Sequence, residues 1–200
     1  MQLPDAARLQ VDQRYVRARD DLAVVGKGSF GTAYLAVDRL TARTVVVKRQ
    51  PANGPRVGRE LAAFRFLQAF KHPNVLEMLD TFEHNHYINF VFEVASMDLW
   101  TVWTTPIGRT GLLEASRLHG YVHDALAGVA HLHDCDVAHG DLSLKNYLVM
   151  ADHLVKVCDL GTAHTAQSLL QAEGAICTLY VRSPEALCGE VRRSDLASDA

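Results

Sequence analysis

The chain has 200 residues, 48% of them hydrophobic and 22% charged, with a formal net charge of -3. This is the make-up of a folded domain or two small lobes with a sizeable core, and its scattered Lys and Arg residues exclude the basic field that grips nucleic acid. No run approaches the ~20 apolar residues of a membrane span, and residues 1–20 carry no apolar signal stretch, so the chain reads as intracellular, cytoplasmic or nuclear.

A polar lead, residues 1–14, opens the chain. Residues 22–28, 32–38 and 41–48 are rich in β-branched side chains and predict three strands joined by short turns. Pro51, Gly54, Pro55 and Gly58 punctuate the next loop, and the apolar residues within 59–70 predict a helix packed on that sheet. Strands are expected over 75–82 and 86–94. A long amphipathic helix follows over 113–133, with Leu118, Val122, Leu126 and Val129 among its apolar positions. Strands thus precede helices, an α+β order. Residues 137–149 form a loop that leads into a hairpin turning at Ala151-Asp152-His153. The four cysteines, Cys135, Cys158, Cys177 and Cys188, contain no C-x-x-C pair and read as free, buried or half-buried thiols.

Three stretches carry chemistry. Gly26-Lys27-Gly28-Ser29-Phe30-Gly31 lies between two predicted strands, where glycines let backbone N–H groups approach phosphates; a plain tight hairpin explains the same residues. Lys48 ends the third strand seventeen residues after Gly31, as a phosphate partner or as a solvated strand-end lysine. Glu60 is the one acid between Lys48 and Glu77, so it is the candidate to orient Lys48 or an exposed helical acid. In the 137–149 loop, His139, Asp141 and Asn146 are spaced as an acid-base and metal ligands would be.

The glycine hairpin, Val45-Val46-Val47-Lys48, Glu60, His139-x-Asp141 with Asn146, Asp159-Leu160-Gly161 and Ser183-Pro184-Glu185 occur in the order of the protein-kinase motifs. The sequence resembles a eukaryotic protein kinase from about Tyr15 to its last residue. His72-Pro73-Asn74, Phe92-Glu93-Val94-Ala95, Met97-Asp98-Leu99 and the run from Cys177 to Glu185 add to the resemblance, the last two in the manner of the cyclin-dependent group. The resemblance implies a bilobal kinase fold: a nucleotide-binding lobe over 15–95 with an antiparallel sheet and one helix, and a partial, mainly helical catalytic lobe over 96–200. It implies ATP and Mg²⁺ as cofactors and protein substrates. Asp141 would accept the substrate hydroxyl proton, and Asn146 and Asp159 would hold Mg²⁺. Lys48, backed by Glu60, would hold the α and β phosphates beneath the loop of Gly26, Lys27, Gly28, Ser29 and Gly31. Backbone atoms near Glu93 and Ala95 would read the adenine edge, and Ala33, Val46 and Leu148 would sandwich the ring. A small residue at 33 and Val at 46 exchange the usual sizes while keeping the volume.

The departures are as informative. Gly140 replaces an arginine that in many kinases pairs with a phosphorylated activation loop, so activity is expected not to depend on phosphorylation at Thr162, Thr165 or Ser168. Ser143 replaces the lysine that contacts the γ-phosphate in Ser/Thr kinases, and Lys145 stands where tyrosine kinases often carry an arginine for the same need. The segment 178–185 nonetheless resembles the substrate-facing loop of Ser/Thr kinases, which is the reading preferred here. Glu60 lies three residues further from His72 than the family's helix glutamate, which an extra turn or a bulge after Leu67 would absorb. Leu160 replaces a phenylalanine, and Cys158 reads as inert packing. A kinase domain normally runs longer, so the chain reads as C-terminally truncated at Asp199-Ala200, leaving apolar surface on the 113–133 helix for a partner. The alternatives are a pseudokinase or regulatory ATP-binding fragment, favoured by Gly140 and Ser143, and a small-molecule kinase of related fold, favoured by His139-Gly140-Asp141-Leu142.

Overall fold

The computed structural model describes residues 11–17, 24–28, 31–105 and 114–165. Ser29, Cys177, Cys188, the 178–185 segment and Asp199 lie outside the described residues. The chain divides into two compact units, residues 1–58 with 77–94, and residues 59–76 with 95–200. The division falls between Val94 and Ala95, and it groups 59–76, placed with the first lobe by the sequence reading, with the second unit.

In the first unit, a short helix α1 (Val11–Arg14) leads into β1 (Tyr15–Arg17), β2 (Val24–Gly28), β3 (Gly31–Asp38), β4 (Arg43–Pro51), β5 (Met78–His84) and β6 (Tyr87–Phe92). All pair antiparallel in the order β1-β3-β4-β6-β5, with β2 against β3. Period-two patterning decides the faces: Val45 and Val47 of β4 turn into a core with Tyr15, Ala36 and Val91, against which Tyr34 and Phe82 pack. The β3–β4 turn is shaped by Asp38, whose carboxylate accepts from the Leu40 amide and the Thr41 hydroxyl. Asn85 and His86, both at positive φ, make the two-residue turn between β5 and β6. The end of the polar lead is tied to the sheet because Arg14 binds Asp38 and Asp80 while Tyr15 donates to Asp80.

The predicted strand over 75–82 begins only at Met78. Val75 instead makes a parallel bridge to Val157, and the Leu76 amide donates to the Val157 carbonyl, so the apolar residues before Met78 belong to the second unit.

The second unit holds α2 from Arg59 onward (Val57–Leu67), β7 (Met97–Asp98), α3 (Leu99–Thr104), α4 (Ala115–Asp134), β8 (Val137–Ala138), β9 (Tyr147–Val149), β10 (Val155–Val157) and β11 (His164–Thr165). Helix α2 stops at Leu67, and the chain continues to Phe70 in turns closed by Ala69 N–H to Phe66 and Phe70 N–H to Leu67 bonds. The β9–β10 hairpin turns over 151–153 as expected, with β7 adding a third strand on β9. Tyr121, Val149 and Val155 form a core with Leu99, Val102, Ala125 and Tyr147.

Of the α4 apolar positions named from sequence, Val129 is buried, while Leu118, Val122 and Leu126 are 47%, 50% and 65% exposed and form the apolar surface expected on this helix. The buried face is Tyr121, Gly128, Val129 and Leu132, because the helix carries two apolar stripes and only one meets the unit's own core.

Candidate functional site

The first unit supplies one half of the predicted machinery on one face of its sheet. Residues opposite each other on neighbouring strands share a face. The register sets Ala33 opposite Lys48 and Lys48 opposite Phe90, with Leu35, Val46 and Phe92 in line on the next rung. Ala33, Val46 and Lys48 therefore lie together on the face opposite the Val45–Val47 core, and Gly26 is the cross-strand partner of Ala33.

The glycines of the hairpin are not equivalent. A Cβ on Gly31 would collide with the Arg49 carbonyl oxygen, so this glycine is required by the close approach of β3 to β4. Around Gly28 a Cβ would meet nothing within 4 Å, and at Gly26 it would meet only Ala33 at an ordinary 3.9 Å. The fold itself does not require those two glycines, which leaves an open, exposed strand in which Gly26, Lys27 and Gly28 face solvent.

Glu93 and Ala95 are half-buried on either side of the division between the units. Glu60, read from sequence as the acid that orients Lys48 or as an exposed helical acid, is 1% exposed. A carboxylate buried to that degree needs a cation or several hydrogen bonds.

The second unit gathers Asp141, Asn146 and Asp159. The Asn146 side-chain nitrogen donates to the Asp141 backbone carbonyl at 2.7 Å and lies 3.5 Å from the Asp141 carboxylate. That engagement directs the amide oxygen of Asn146 elsewhere and fixes which end of the amide is oxygen. The Asn146 carbonyl accepts the Cys158 amide at 2.9 Å, which sets Asn146 beside the residue preceding Asp159. Asp159 is half-buried at φ 62°, ψ 67°, a left-handed conformation that Asp tolerates better than most residues and that recurs where backbone is held for function. Leu148 is half-buried on β9 between Asp98 and Lys156.

His139 links these pieces, although the sequence suggested an acid-base or ligand. It is fully buried; its Nδ1 accepts the Asp141 amide at 3.2 Å, so Nε2 carries the proton and donates to the Cys158 carbonyl at 2.8 Å. Thr162 is also buried and donates its hydroxyl to the His139 carbonyl at 3.1 Å, which removes it from the set of open phosphorylation sites. Gly140 sits at φ 77°, a conformation open to glycine, and this gives the missing arginine a backbone reason. The signal for His139 was its burial and bonding partners, which spacing alone does not reveal.

Lys145 is exposed on the turn Leu144–Asn146, with its Nζ 5.7 Å from the centre of the Trp100 ring. Trp100 is placed by β7 pairing with β9 and by Asp98, which caps α3 through the Thr101 amide at 2.6 Å. Neither Trp100 nor α3 was anticipated. Cys158 is buried and, like the half-buried Cys135, unbridged, as expected.

Among the described residues no three His, Cys, Asp or Glu side chains gather into a cage for a metal. Asn146 offers an amide oxygen and Asp159 a carboxylate, hard donors that suit Mg²⁺ when phosphate and water complete its shell. The residues fit the ion. Among the described residues no helix is long and apolar enough to cross a membrane.

The sequence matches the protein kinase domain family over residues 20–199. It is 31% identical over 193 residues to Cell division control protein 2 homolog 3 of Trypanosoma brucei brucei, covering 94% of this chain and 60% of that protein. It is 32% identical over 178 residues to Cyclin-dependent kinase 7 of Xenopus laevis, covering 85% and 49%. To Mitogen-activated protein kinase Hog1 of Zymoseptoria tritici it is 32% identical over 183 residues, covering 88% and 47%. The chain thus spans between about half and 60% of the length of these relatives.

Proposed function

Given that this chain belongs to the protein kinase family, we propose that it carries out ATP-dependent transfer of the γ-phosphoryl group to Ser/Thr hydroxyls of protein substrates. The observation that carries this reading is the hydrogen-bonded grouping of Asp141, Asn146 and Cys158, the residue before Asp159, around the buried His139. A domain that only bound a partner has no need of that set.

In this proposal Asp141 accepts the proton of the substrate hydroxyl as its oxygen bonds to the γ-phosphorus and the bond to the β-phosphate oxygen breaks, releasing ADP. Asn146 and Asp159 hold Mg²⁺, which supplies neutralisation of the phosphate charge. Lys48 binds the α and β phosphates and is oriented by Glu60, whose burial supports a paired role. Gly26, Lys27, Gly28, Ser29 and Gly31 cover the phosphates; the open space at Gly26 and Gly28 supports that assignment. Ala33, Val46 and Leu148 pack on the adenine, with backbone near Glu93 and Ala95 reading its edge. The lobes are proposed as 15–95 and 96–200. Lys145 takes over the charge that Ser143 lacks, reaching the γ-phosphate from its position over Trp100. A regulatory protein partner belongs to the same proposal.

The competing reading is a pseudokinase that binds nucleotide without transfer. It is favoured by Ser143 and by the contact between Lys145 and Trp100, which would withhold the ammonium from phosphate. Phosphate transfer from Mg·ATP to a mixed Ser, Thr and Tyr protein substrate separates the two. The assay compares this chain, a version extended to the length of its relatives, and Asp159→Ala and Lys145→Met in each. Transfer to Ser/Thr that is abolished by Asp159→Ala, and by Lys145→Met with ATP binding intact, is expected. Binding of Mg·ATP without transfer in the extended version contradicts the kinase reading, and undiminished transfer by Lys145→Met rejects the role of Lys145 alone.

A further inference from the structure

Within the second unit, the turn after α2 (residues 68–76), the C-terminal half of α4 and β10 meet at Asn74. The Asn74 carbonyl accepts the Val157 amide at 2.8 Å, its side chain donates to the Val155 carbonyl at 2.9 Å, and the Leu76 amide donates to the Val157 carbonyl at 2.9 Å. Gly128 of α4 comes so near the Asn74 carbonyl that there is no room for a Cβ. Beside this junction the rings of His72 and His131 stack with centroids 4.5 Å apart and planes at 16°. His131 Nε2 is 2.7 Å from the Phe70 carbonyl oxygen, and His72 Nδ1 accepts the Asn74 amide at 3.2 Å.

These bonds fix where protons sit. A carbonyl only accepts, so His131 Nε2 carries its proton. His72 Nδ1 accepts, so its proton is on Nε2. A second proton on His72 has only Nδ1 to bind, where it faces the Asn74 N–H and breaks that bond. Protonating both rings sets two cations face to face. We propose that the His72–His131 pair is a proton-sensitive brace: neutral, it holds the 68–76 turn on α4 and β10, and protonated at His72 it releases Asn74 and loosens the strand that leads to Asp159.

The titratable groups around the pair are few. On α4 the Cys135 thiol lies 3.7 Å from His131 Nε2, with Asp134 and Asp136 next to it; burial first, and those two acids after it, push the thiol up. His133 follows two residues on along the helix, Lys71 precedes His72 on the turn, and β10 contributes Val155, Val157 and, on its opposite face, Lys156. Burial and then the neighbouring His131 hold His72 below its ordinary 6.5. With the folded value lowered, the unfolded chain takes up the proton first, so the brace is complete above pH 6.5 and is lost as the pH falls below it.

Amide hydrogen exchange on the whole chain, corrected for intrinsic rates, tests this at about pH 7.5 and about pH 5.5. Protection at Asn74 and Val157 should fall by about tenfold in the parent and stay level in His72→Asn, whose oxygen accepts the Asn74 amide without titrating. An equal fall in His72→Asn, or a level parent, overturns the proposal. If His72→Asn does not fold, the His72 imidazole is titrated by NMR in parent and His131→Gln. Removing the stacked ring must raise the His72 midpoint, and an unchanged or lower midpoint overturns the brace.

Discussion

Asp38 shows how one buried carboxylate sets the acid limit of a sheet. Its two oxygens accept both arms of Arg14 at 2.9 Å along with the Leu40 amide and the Thr41 hydroxyl. These bonds outweigh burial and hold its pKa down to about 2, the Arg14 bond contributing most. A depressed carboxylate contributes stability that is fully present above its unfolded value, near 3.8, and disappears as the pH falls through 2. We expect it to add about 2 kcal/mol at neutral pH. Asp38→Asn should lose that amount in urea denaturation at neutral pH and should flatten the stability profile between pH 3.8 and 2. An unchanged acid slope would contradict this role. None of this was legible beforehand, because Arg14 lies in a polar lead 24 residues away and pairs through tertiary placement. The same limit applies at the candidate site. Asp141, Asn146 and Asp159 stand out by type and spacing, whereas the work of His139 depends on a carbonyl 19 residues downstream. The three hairpin glycines look alike in sequence, and only the nearness of Arg49 separates Gly31 from the others.

At the scale of elements, β3, β4, β6 and the β9–β10 hairpin were legible because alternation of apolar residues and turn residues agree there. The start of β5 was not, since Val75 and Leu76 are as strand-like as Met78 yet are held by β10. Helix α3 was missed because Leu99-Trp-Thr-Val-Trp-Thr104 is weak in helix propensity, and its start rests on the single Asp98 cap. The buried side of α4 was not legible because a small residue, Gly128, marks the contact alongside Tyr121, Val129 and Leu132. Two glycines of this helix therefore respond oppositely to alanine. Gly128→Ala drives a methyl into the Asn74 carbonyl and should cost about 1–3 kcal/mol. Gly120→Ala meets nothing within 4 Å, and should stabilise by up to about 1 kcal/mol. Thermal denaturation of the two variants in parallel checks both signs. If Gly128→Ala were neutral, the close seating of α4 on the 68–76 turn would be wrong.

At the scale of the whole molecule, membership of the protein kinase family was recognisable from ordered motifs spread over most of the chain, each weak alone. Among the described residues, Leu118, Val122 and Leu126 leave an apolar stripe exposed along α4, a kind of surface that commonly meets a partner. The central proposal is chemical: Asn146, whose carbonyl accepts the Cys158 amide, and the next residue after Cys158, Asp159, are proposed to hold the Mg²⁺ that accompanies ATP. ATP affinity measured by calorimetry on this chain with and without Mg²⁺, in parent and Asp159→Ala, tests it most directly. The account predicts binding that strengthens with Mg²⁺ in the parent and loses that dependence in Asp159→Ala. ATP binding equally tight with and without Mg²⁺ in the parent would contradict it.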